Sequence, residues 1–407
     1  MTSEHRKLLL MQSQDELSDV WIKTYREDSS YSSVIYYDIY KTKGINYLHN
    51  LILKEVEENK INTIIFDVSQ PVVNPFELKK LQDVNSIYLV CLGIDDEYKF
   101  DWITSTYATI ADLYISSDYV SVERLIQAGV NAHFLPLPVT IPSEYKSLQE
   151  EIQVSFVGQI ASYKGTRQNS KDFLTQKSVP VHWYPKQNGD DFRFMPREEM
   201  NWIFKNSQIN LNFSEISSVQ KNENPLFDRI RSMKLRPFEI LSCGGFCLSE
   251  FSSSLSKCFE DGKEIVFYRG QEDLFKKLTY YLERPEVTRK IAEKGFDKVK
   301  DNFTDYQIRK KFKSLIDQGY SIIGKNLYNE SHELVVSKSF YRSYLDMLLV
   351  TTFTNFFKLD FTIFFSELRY TLKTLTQLNR NLPLFDKISL LLGSLYRSAK
   401  TMIRKII

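Results

Sequence analysis

The feature that most constrains the fold is a regular alternation of short apolar runs with longer segments of helical periodicity. Runs of about four to eight apolar residues, each followed by a helical segment, are typical of β-α units. Such units build parallel sheets whose faces are covered by helices. The alternation occurs in two successive series, and it predicts an α/β protein with two parallel sheets.

The first series predicts an N-terminal domain over residues 1–142. Its predicted helices include Gln14–Glu27 and Asn46–Glu58. Prolines at 136, 138 and 142 interrupt the pattern and indicate a linker. The predicted strands of this series are Lys7–Met11, Val34–Ile39, Ile61–Val68, Ser86–Leu92, Asp112–Ser116 and His133–Leu137.

The second series predicts a domain over residues 150–320, followed by a helical, aromatic and basic tail over 330–407. Two consecutive doubly wound, Rossmann-like domains that face a cleft follow from this order. The predicted strands are Gln153–Val157, Val179–Trp183, Gln208–Phe213, Phe246–Ser249 and Glu264–Tyr268. Three successive helices are predicted at Glu272–Leu282, Pro285–Asp301 and Tyr306–Gln318.

The charge distribution argues against nucleic acid as a partner. The whole chain has a formal net charge of +2, whereas eight basic and two acidic residues give Ser366–Ile407 a charge of +6. The rest of the chain is therefore mildly acidic, and phosphate neutralisation needs a basic face. The cysteines form no zinc motif, no signal peptide is recognisable and no stretch is apolar enough to span a bilayer, so reduced thiols and a cytoplasmic location are expected.

Ligands of open parallel sheets bind beyond the carboxyl ends of the strands, which directs attention to the loops there. The chain contains neither a G-x-G-x-x-G nor a G-x-x-x-x-G-K-[ST] motif, which argues against a dinucleotide-binding enzyme and a P-loop NTPase. The loop after the first strand of the second domain contains Gly158, Lys164 and Arg167. A glycine beside a helix N-terminus suits a diphosphate, and the alternative is a glycine turn with solvated basic residues.

The densest group of polar residues surrounds a short predicted helix. Lys234 and Arg236 precede the proline that opens it, Glu239 lies in its first turn, and Gly244 and Gly245 follow its end. The two cations suit phosphate, and a carboxylate can accept hydrogen bonds from both hydroxyls of a ribose. Alternatively, Glu239 complements the helix dipole and the glycines terminate the helix.

The stretch KLRPFEILSCGGFCLSE, residues 234–250, resembles the C-terminal domain of CgeB-type, group-1-like glycosyltransferases. The resemblance extends over roughly Leu89 to Leu315, and it is most specific at Arg236–Glu239 and Cys243–Gly245. It implies a GT-B fold that holds a nucleotide-sugar donor in the second domain. Glu239 matches the glutamate that binds ribose in this family, and Lys164, Arg167, Lys234 and Arg236 match basic positions around the diphosphate.

The resemblance also has a departure. The broader class carries two glutamates with seven residues between them. Glu239 matches the second, and this chain has Arg231 at the position of the first, which leaves retention of configuration open. Asn212 and Asn210 are further candidates for donor contacts. No Asp-x-Asp signature is present, so neither a metal ion nor another cofactor is expected. Asp95 and Asp96, after a strand of the first domain, either orient and deprotonate the acceptor hydroxyl or cap the next helix.

The resulting hypothesis is a metal-independent transferase that moves a sugar to a glycan, lipid-linked glycan or protein hydroxyl. The alternatives are a non-catalytic binding protein of the same fold and a sugar-nucleotide epimerase. The tail ends in a segment, 384–407, whose Leu391, Leu392, Leu395, Met402, Ile403 and Ile406 share one helical face, with most cations off it. This segment is expected either at an anionic membrane surface or docked on the body or on a dimer partner.

Overall fold

The computed structural model describes residues 6–12, 30–143, 152–160, 165–184, 195–215, 231–323, 334–378 and 384–406. The chain divides into two compact units. Unit 1 comprises Met1–Ser116, Ser121–His133 and Lys313–Ile407, and unit 2 comprises Ser117–Val120 and Phe134–Phe312. The predicted tail therefore groups with the N-terminal sheet.

Unit 1 is built around a sheet of six strands in the order β2-β1-β3-β4-β5-β6, parallel in every pairing from β2 to β5. The second strand in this order, β1, pairs with a neighbouring strand along each edge. Its successive residues Leu8, Leu9 and Leu10 are all buried, so both faces of this strand are covered, and an unbroken apolar run is what such a strand requires. The strands are β1 (Lys7–Gln12), β2 (Tyr31–Tyr36), β3 (Thr63–Asp67), β4 (Tyr88–Gly93), β5 (Leu113–Ser116) and β6 (Ala132–Phe134).

The second strand differs from its prediction. It was expected at Val34–Ile39, but it ends at Tyr36 and is followed by a 3-10 helix over Tyr37–Ile39. Tyr37 is buried there, and its hydroxyl donates a hydrogen bond to Asp67 Oδ2 at 3.3 Å. This tertiary contact outweighs the extended propensity of an aromatic run. The predicted helix Gln14–Glu27 lies outside the described residues.

The helices between these strands follow the predicted alternation. The predicted helix Asn46–Glu58 is confirmed as α2 (Ile45–Asn59). A short π-helix, Phe100–Thr104, connects α4 to α5. The helices are α1 (Tyr40–Lys43), α2, α3 (Pro75–Asn85), α4 (Asp96–Lys99), α5 (Ser105–Ala108) and α6 (Tyr119–Gln127).

Unit 2 contains a sheet of five strands in the order β11-β10-β9-β7-β8, and all of its pairings are parallel. All five predicted strands of the second series are confirmed, with ends that differ by one or two residues. They are β7 (Ile152–Val157), β8 (Val181–Tyr184), β9 (Ser207–Asn212), β10 (Cys247–Glu250) and β11 (Val266–Tyr268). The helices are α7 (Gly165–Gln176), α8 (Arg197–Asn206), α9 (Arg236–Ser242), α10 (Gly270–Leu282), α11 (Pro285–Asn302) and α12 (Asp305–Ile323), the last of which continues into unit 1.

Three further helices of the C-terminal segment pack on unit 1: α13 (Lys338–Phe357), α14 (Phe361–Leu378) and α15 (Leu384–Ile406). Phe340 and Tyr344 of α13 have no exposed surface, and the Phe340 ring lies 5.3 Å from that of Tyr107. Within the described parts of the chain, no helix has the length and apolar character needed to cross a membrane. The burial of these aromatic side chains makes α13 a component of the core of unit 1.

Candidate functional site

Several charged and polar residues lie at the carboxyl edge of the unit 2 sheet. Gly158 follows β7, Ser214 and Glu215 follow β9, Glu250 ends β10 and Tyr268 ends β11. Because the strands are parallel, these positions meet at one edge of the sheet. This is the edge at which the sequence predicts a ligand.

Arg167, in the first turn of α7, lies at this edge and retains only 8% of its exposed surface. Its Nη1 donates to the Gln159 carbonyl at 3.0 Å, and its backbone N–H donates to Glu215 Oε2 at 3.3 Å. Its Nε has no acceptor among the described residues. Burial lowers the pKa of Arg167, while Glu215, Tyr268 and Glu250 oppose that shift. A buried guanidinium with spare donor capacity suits an anionic ligand.

Glu250 supports the same edge from β10. Its Oε2 accepts a hydrogen bond from the backbone N–H of Ser214 at 3.0 Å, and its Oε1 forms an ion pair with Nε of Arg231. Arg231 occupies the position of the absent first glutamate, and the structure gives it a carboxylate partner. Neither Glu215 nor Glu250 is among the residues predicted from the sequence. Their position directly after or at the end of apolar strands is the signal that could have found them.

Arg236 and Glu239 lie together on α9. Arg236 Nη1 donates to Glu239 Oε2 at 2.7 Å, three residues along the helix. The Arg236 guanidinium also lies over the Phe204 ring, 5.3 Å from its centroid. Arg236 contributes to the lowered pKa of Arg167, so the two cations are close enough to repel. Arg236 is thus paired with Glu239 and lies within electrostatic range of Arg167.

Glu239 also lines a cavity of about 210 Å³ within unit 2. The other walls are formed by α8, by Ser242 and by residues 139–143. The Glu239 side chain is 13% exposed, so it retains access to this cavity despite its ion pair.

Several residues predicted to bind the donor also have structural roles. Asn212 is 2% exposed, and its Nδ2 donates to Ser249 Oγ at 2.9 Å. A Cβ on Gly245 would lie 2.3 Å from the Phe204 carbonyl oxygen, and one on Gly158 would lie 2.8 Å from the Phe156 ring. Gly244, with φ of +74°, follows the end of α9 in a conformation that favours glycine.

The remaining donor-binding candidates lie close to these residues in sequence. Lys234 is two residues before the start of α9, and Lys164 lies outside the described residues. For both, as for Asn212 and the glycines, donor binding stays a prediction.

Asp95 and Asp96 lie at the carboxyl end of β4 in unit 1. Asp96 is fully buried, and its Oδ1 accepts hydrogen bonds from Thr104 Oγ1 at 2.7 Å and from the Tyr114 hydroxyl at 3.2 Å. Burial raises the pKa of Asp96. Asp95 occupies the N-cap position of α4 with φ of 55°, and its side chain makes no capping hydrogen bond. Their role in acceptor activation stays a prediction.

The neighbouring Glu97 was not singled out from the sequence. Burial raises the pKa of Glu97 to about 7, against the opposing effect of Arg124. Across the described residues, no group of three or more histidine, cysteine, aspartate or glutamate side chains is arranged to hold a metal ion. All four cysteines are buried and free.

A family model described as "Glycosyl transferase-like" matches residues 146–312, which is less than half of the chain. The match covers the predicted second domain, including Arg167, Arg236 and Glu239. It does not distinguish the CgeB-type subfamily, which stays a prediction. No curated protein sequence matches this chain.

Among solved structures, the chain is similar to HepE from Anabaena in complex with UDP-glucose, with 13% identity, a TM-score of 0.57 and coverage of 77% of this chain and 100% of that one. Sucrose-phosphate synthase from Thermosynechococcus elongatus gives 8% identity, a TM-score of 0.56 and coverage of 78% and 100%.

The lipopolysaccharide outer core galactosyltransferase WaaB, in its apo form, gives 11% identity, a TM-score of 0.52 and coverage of 77% and 99%. The similarity to these structures is one of fold. The chain therefore has the GT-B fold of these glycosyltransferases. It has two sheets of parallel strands with helices between the strands, and a helical C-terminal part.

Proposed function

We propose that this protein is a glycosyltransferase that transfers a sugar from a nucleotide diphosphate-sugar to an acceptor hydroxyl. The observation that carries the proposal is Arg167, buried at the carboxyl edge of the unit 2 sheet inside the segment that matches the glycosyl transferase-like model. The GT-B fold and neighbours solved with UDP or UDP-glucose support a nucleotide-sugar donor.

The mechanism follows from the charge that the reaction develops. Breaking the bond between the anomeric carbon and the diphosphate oxygen leaves positive charge on the sugar and negative charge on the departing diphosphate. Arg167 would donate to that diphosphate from the first turn of α7, where the backbone N–H groups add positive potential. Arg236 would supply further positive charge, so the proposal assigns no metal ion to the leaving group.

Glu239 is proposed to bind the ribose of the donor. Its carboxylate lines the 210 Å³ cavity next to α9 and can accept a hydrogen bond from each ribose hydroxyl. The acceptor is proposed to be a hydroxyl group of a glycan, of a lipid-linked glycan or of a protein. The proposed product belongs to a cell-envelope polysaccharide. The proposed site of reaction is the cytoplasm, at the inner face of a membrane if the acceptor carries a lipid.

The test is an assay of nucleotide diphosphate release from a panel of nucleotide-sugars with and without EDTA, using wild type and Arg167→Lys. Lysine keeps the charge that faces Glu215 and Glu250 but loses the planar fork of donors. We expect kcat to fall by about a hundredfold, because one lost donor to a developing anion costs ~3 kcal/mol. Lys171→Gln, which removes a cation one turn further along α7, is the matched control and should keep its activity.

The same assay separates the alternatives. Donor binding without release of nucleotide diphosphate, for any donor and acceptor, would identify a non-catalytic binding protein. A changed sugar in the absence of an acceptor would identify an epimerase. Equal activity of Arg167→Lys and wild type would remove Arg167 from the mechanism.

A further inference from the structure

Helix α15 contacts its neighbour through small and polar side chains. Ser394 and Ser398 have no exposed surface, and Leu390 retains only 6%. Ser394 Oγ donates to Asp346 Oδ1 at 2.6 Å, and Ser398 Oγ donates to the Val350 carbonyl at 3.1 Å, both on α13. Arg397 forms an ion pair with the same aspartate. These contacts fix which side of α15 faces unit 1.

The large apolar residues of α15 lie on a different side. Leu391, Leu392, Leu395 and Tyr396 are 45%, 60%, 38% and 65% exposed. Their spacing places them on one face of the helix, which we call the leucine stripe. A helix of a water-soluble protein normally buries its leucines and exposes its serines, whereas α15 does the reverse. The leucine stripe is therefore available for a partner outside the described fold.

Charge indicates what that partner is. Leu384–Ile406 contains five basic residues and one acidic residue. Lys400 is exposed, and its Nζ lies 5.8 Å from the centroid of Tyr396, at the border of the leucine stripe. An exposed apolar stripe with a lysine at its border, on a helix with four more basic than acidic residues, matches an anionic bilayer surface, where leucines enter the acyl boundary and lysines meet phosphates.

The same charge argues against a second copy of the chain as the partner. In a two-fold symmetric contact, each stripe would face an identical stripe with identical cations, and these would repel. We propose that α15 lies in the plane of an anionic membrane surface and binds it through the leucine stripe, while its serine face keeps it attached to unit 1. This inference concerns the membrane contact alone and does not depend on the proposed transferase activity.

The experiment is co-sedimentation of the full chain with vesicles of phosphatidylcholine alone or mixed with phosphatidylglycerol, at low and high salt. The variant is Leu392→Glu/Leu395→Glu, which places two carboxylates in the leucine stripe. The control is Leu372→Glu, which makes the same change at a leucine on α14 that is 55% exposed. Thermal unfolding should be unchanged in both proteins, because every altered position is exposed.

We expect the wild type to bind vesicles that contain phosphatidylglycerol, to bind neutral vesicles at least tenfold more weakly, and to be released by salt. The double variant should lose at least tenfold in affinity, whereas Leu372→Glu should bind as the wild type does. Absence of binding to anionic vesicles, or equal losses in the variant and the control, would overturn the assignment. So would a dimer in solution that the double variant dissociates. Binding of UDP, measured in parallel, is expected to be the same in all three proteins.

Discussion

A guanidinium that loses nine tenths of its exposed surface, as that of Arg167 does, gives up most of its hydration. Folding tolerates this because Glu215 and Glu250 lie close by and the Gln159 carbonyl accepts one of its hydrogen bonds. The Nε of Arg167, which has no acceptor among the described residues, can donate a hydrogen bond to a bound anion. The arginine, its carboxylates and the ligand therefore form one electrostatic system, and single substitutions within it should not be additive.

Glu239 provides the residue-scale test of donor recognition. Glu239→Ala should weaken binding of the nucleotide about tenfold to a hundredfold, because two hydrogen bonds to a charged acceptor are lost. Isothermal titration with UDP measures the affinity, and circular dichroism checks the fold. Glu198→Ala, at another acidic residue that lines the same cavity, is the control. An unaltered affinity in Glu239→Ala would count against the proposed ribose contact.

Glu97 gives a pH-dependent prediction. Burial raises the pKa of Glu97 to about 7 in the folded state. Between the ordinary pKa of a glutamate and pH 7, the folded state therefore keeps the proton on Glu97, whereas the unfolded chain loses it. Its contribution to stability is therefore greatest at low pH and declines as the pH rises towards 7. Glu97→Gln should match the wild type in melting temperature at pH 5 and exceed it at pH 8. The exposed Glu57→Gln should show no such divergence, and parallel pH curves for Glu97→Gln and the wild type would contradict the prediction.

At the scale of elements, a carboxylate of one helix caps the N-terminus of another. Glu367 of α14 is fully buried, and its two oxygens accept hydrogen bonds from the backbone N–H groups of Ile45 at 2.9 Å and Asn46 at 2.8 Å. Gly44 precedes them with φ of +90°, and a Cβ there would lie 2.4 Å from Glu367 Oε1. The cap and the glycine together fix α14 against the start of α2.

Glu367→Ala should therefore lower the free energy of unfolding by about 2–4 kcal/mol, because two buried N–H groups lose their acceptor. Urea titration followed by circular dichroism measures this loss. Ser366→Ala removes only the acceptor of a partly buried hydrogen bond from the Asn46 side chain and should cost less than about 1 kcal/mol. Equal losses in the two variants would show that the cap is not a main attachment of α14.

Sequence patterns predicted the elements better than their contacts. Strands such as β1 and β4 were predictable because a strand buried on both faces needs an apolar run, and that requirement is local. The cap of α2 was not predictable, because Glu367 and Ile45 are 322 positions apart and neither segment has a sequence pattern that indicates a contact with the other. The same limit applies to the candidate site. Arg167 was predictable as a ligand-binding residue because it follows a glycine-containing loop. Glu215 and Glu250 were not, because their proximity to Arg167 depends on the order of the strands in the sheet.

At the scale of the whole molecule, the C-terminal helices complete the core of unit 1. Phe340, Tyr344 and Leu348 of α13 have no exposed surface. A chain that ends at residue 333 would expose their contacts on unit 1, and each large apolar residue contributes about 1.5–3 kcal/mol when buried. Since domains are stable by only about 5–15 kcal/mol, we expect this truncated chain to aggregate or to melt far below the full chain.

A chain that ends at residue 383 is the matched comparison. It loses α15, in which the buried side chains between residues 389 and 400 are two serines and one leucine, and it should stay folded and bind nucleotide as the full chain does. Gel filtration and thermal scanning distinguish the two truncations. If the chain that ends at residue 333 were as stable as the full chain, the C-terminal helices would not belong to the core of unit 1.

The division of the chain has a consequence for its synthesis. The strands of unit 1 are translated before unit 2, but the C-terminal residues that complete unit 1, among them Ile316 and Phe340, come after about 180 residues of unit 2. At ~5–20 residues per second, the nascent sheet waits roughly 10–40 s for these residues. Unit 2 can meanwhile fold as soon as residue 312 has emerged. Unit 1, whose strands are translated before unit 2, is thus the last unit to reach its native state, and chaperones that bind nascent chains are expected to be needed there for longest.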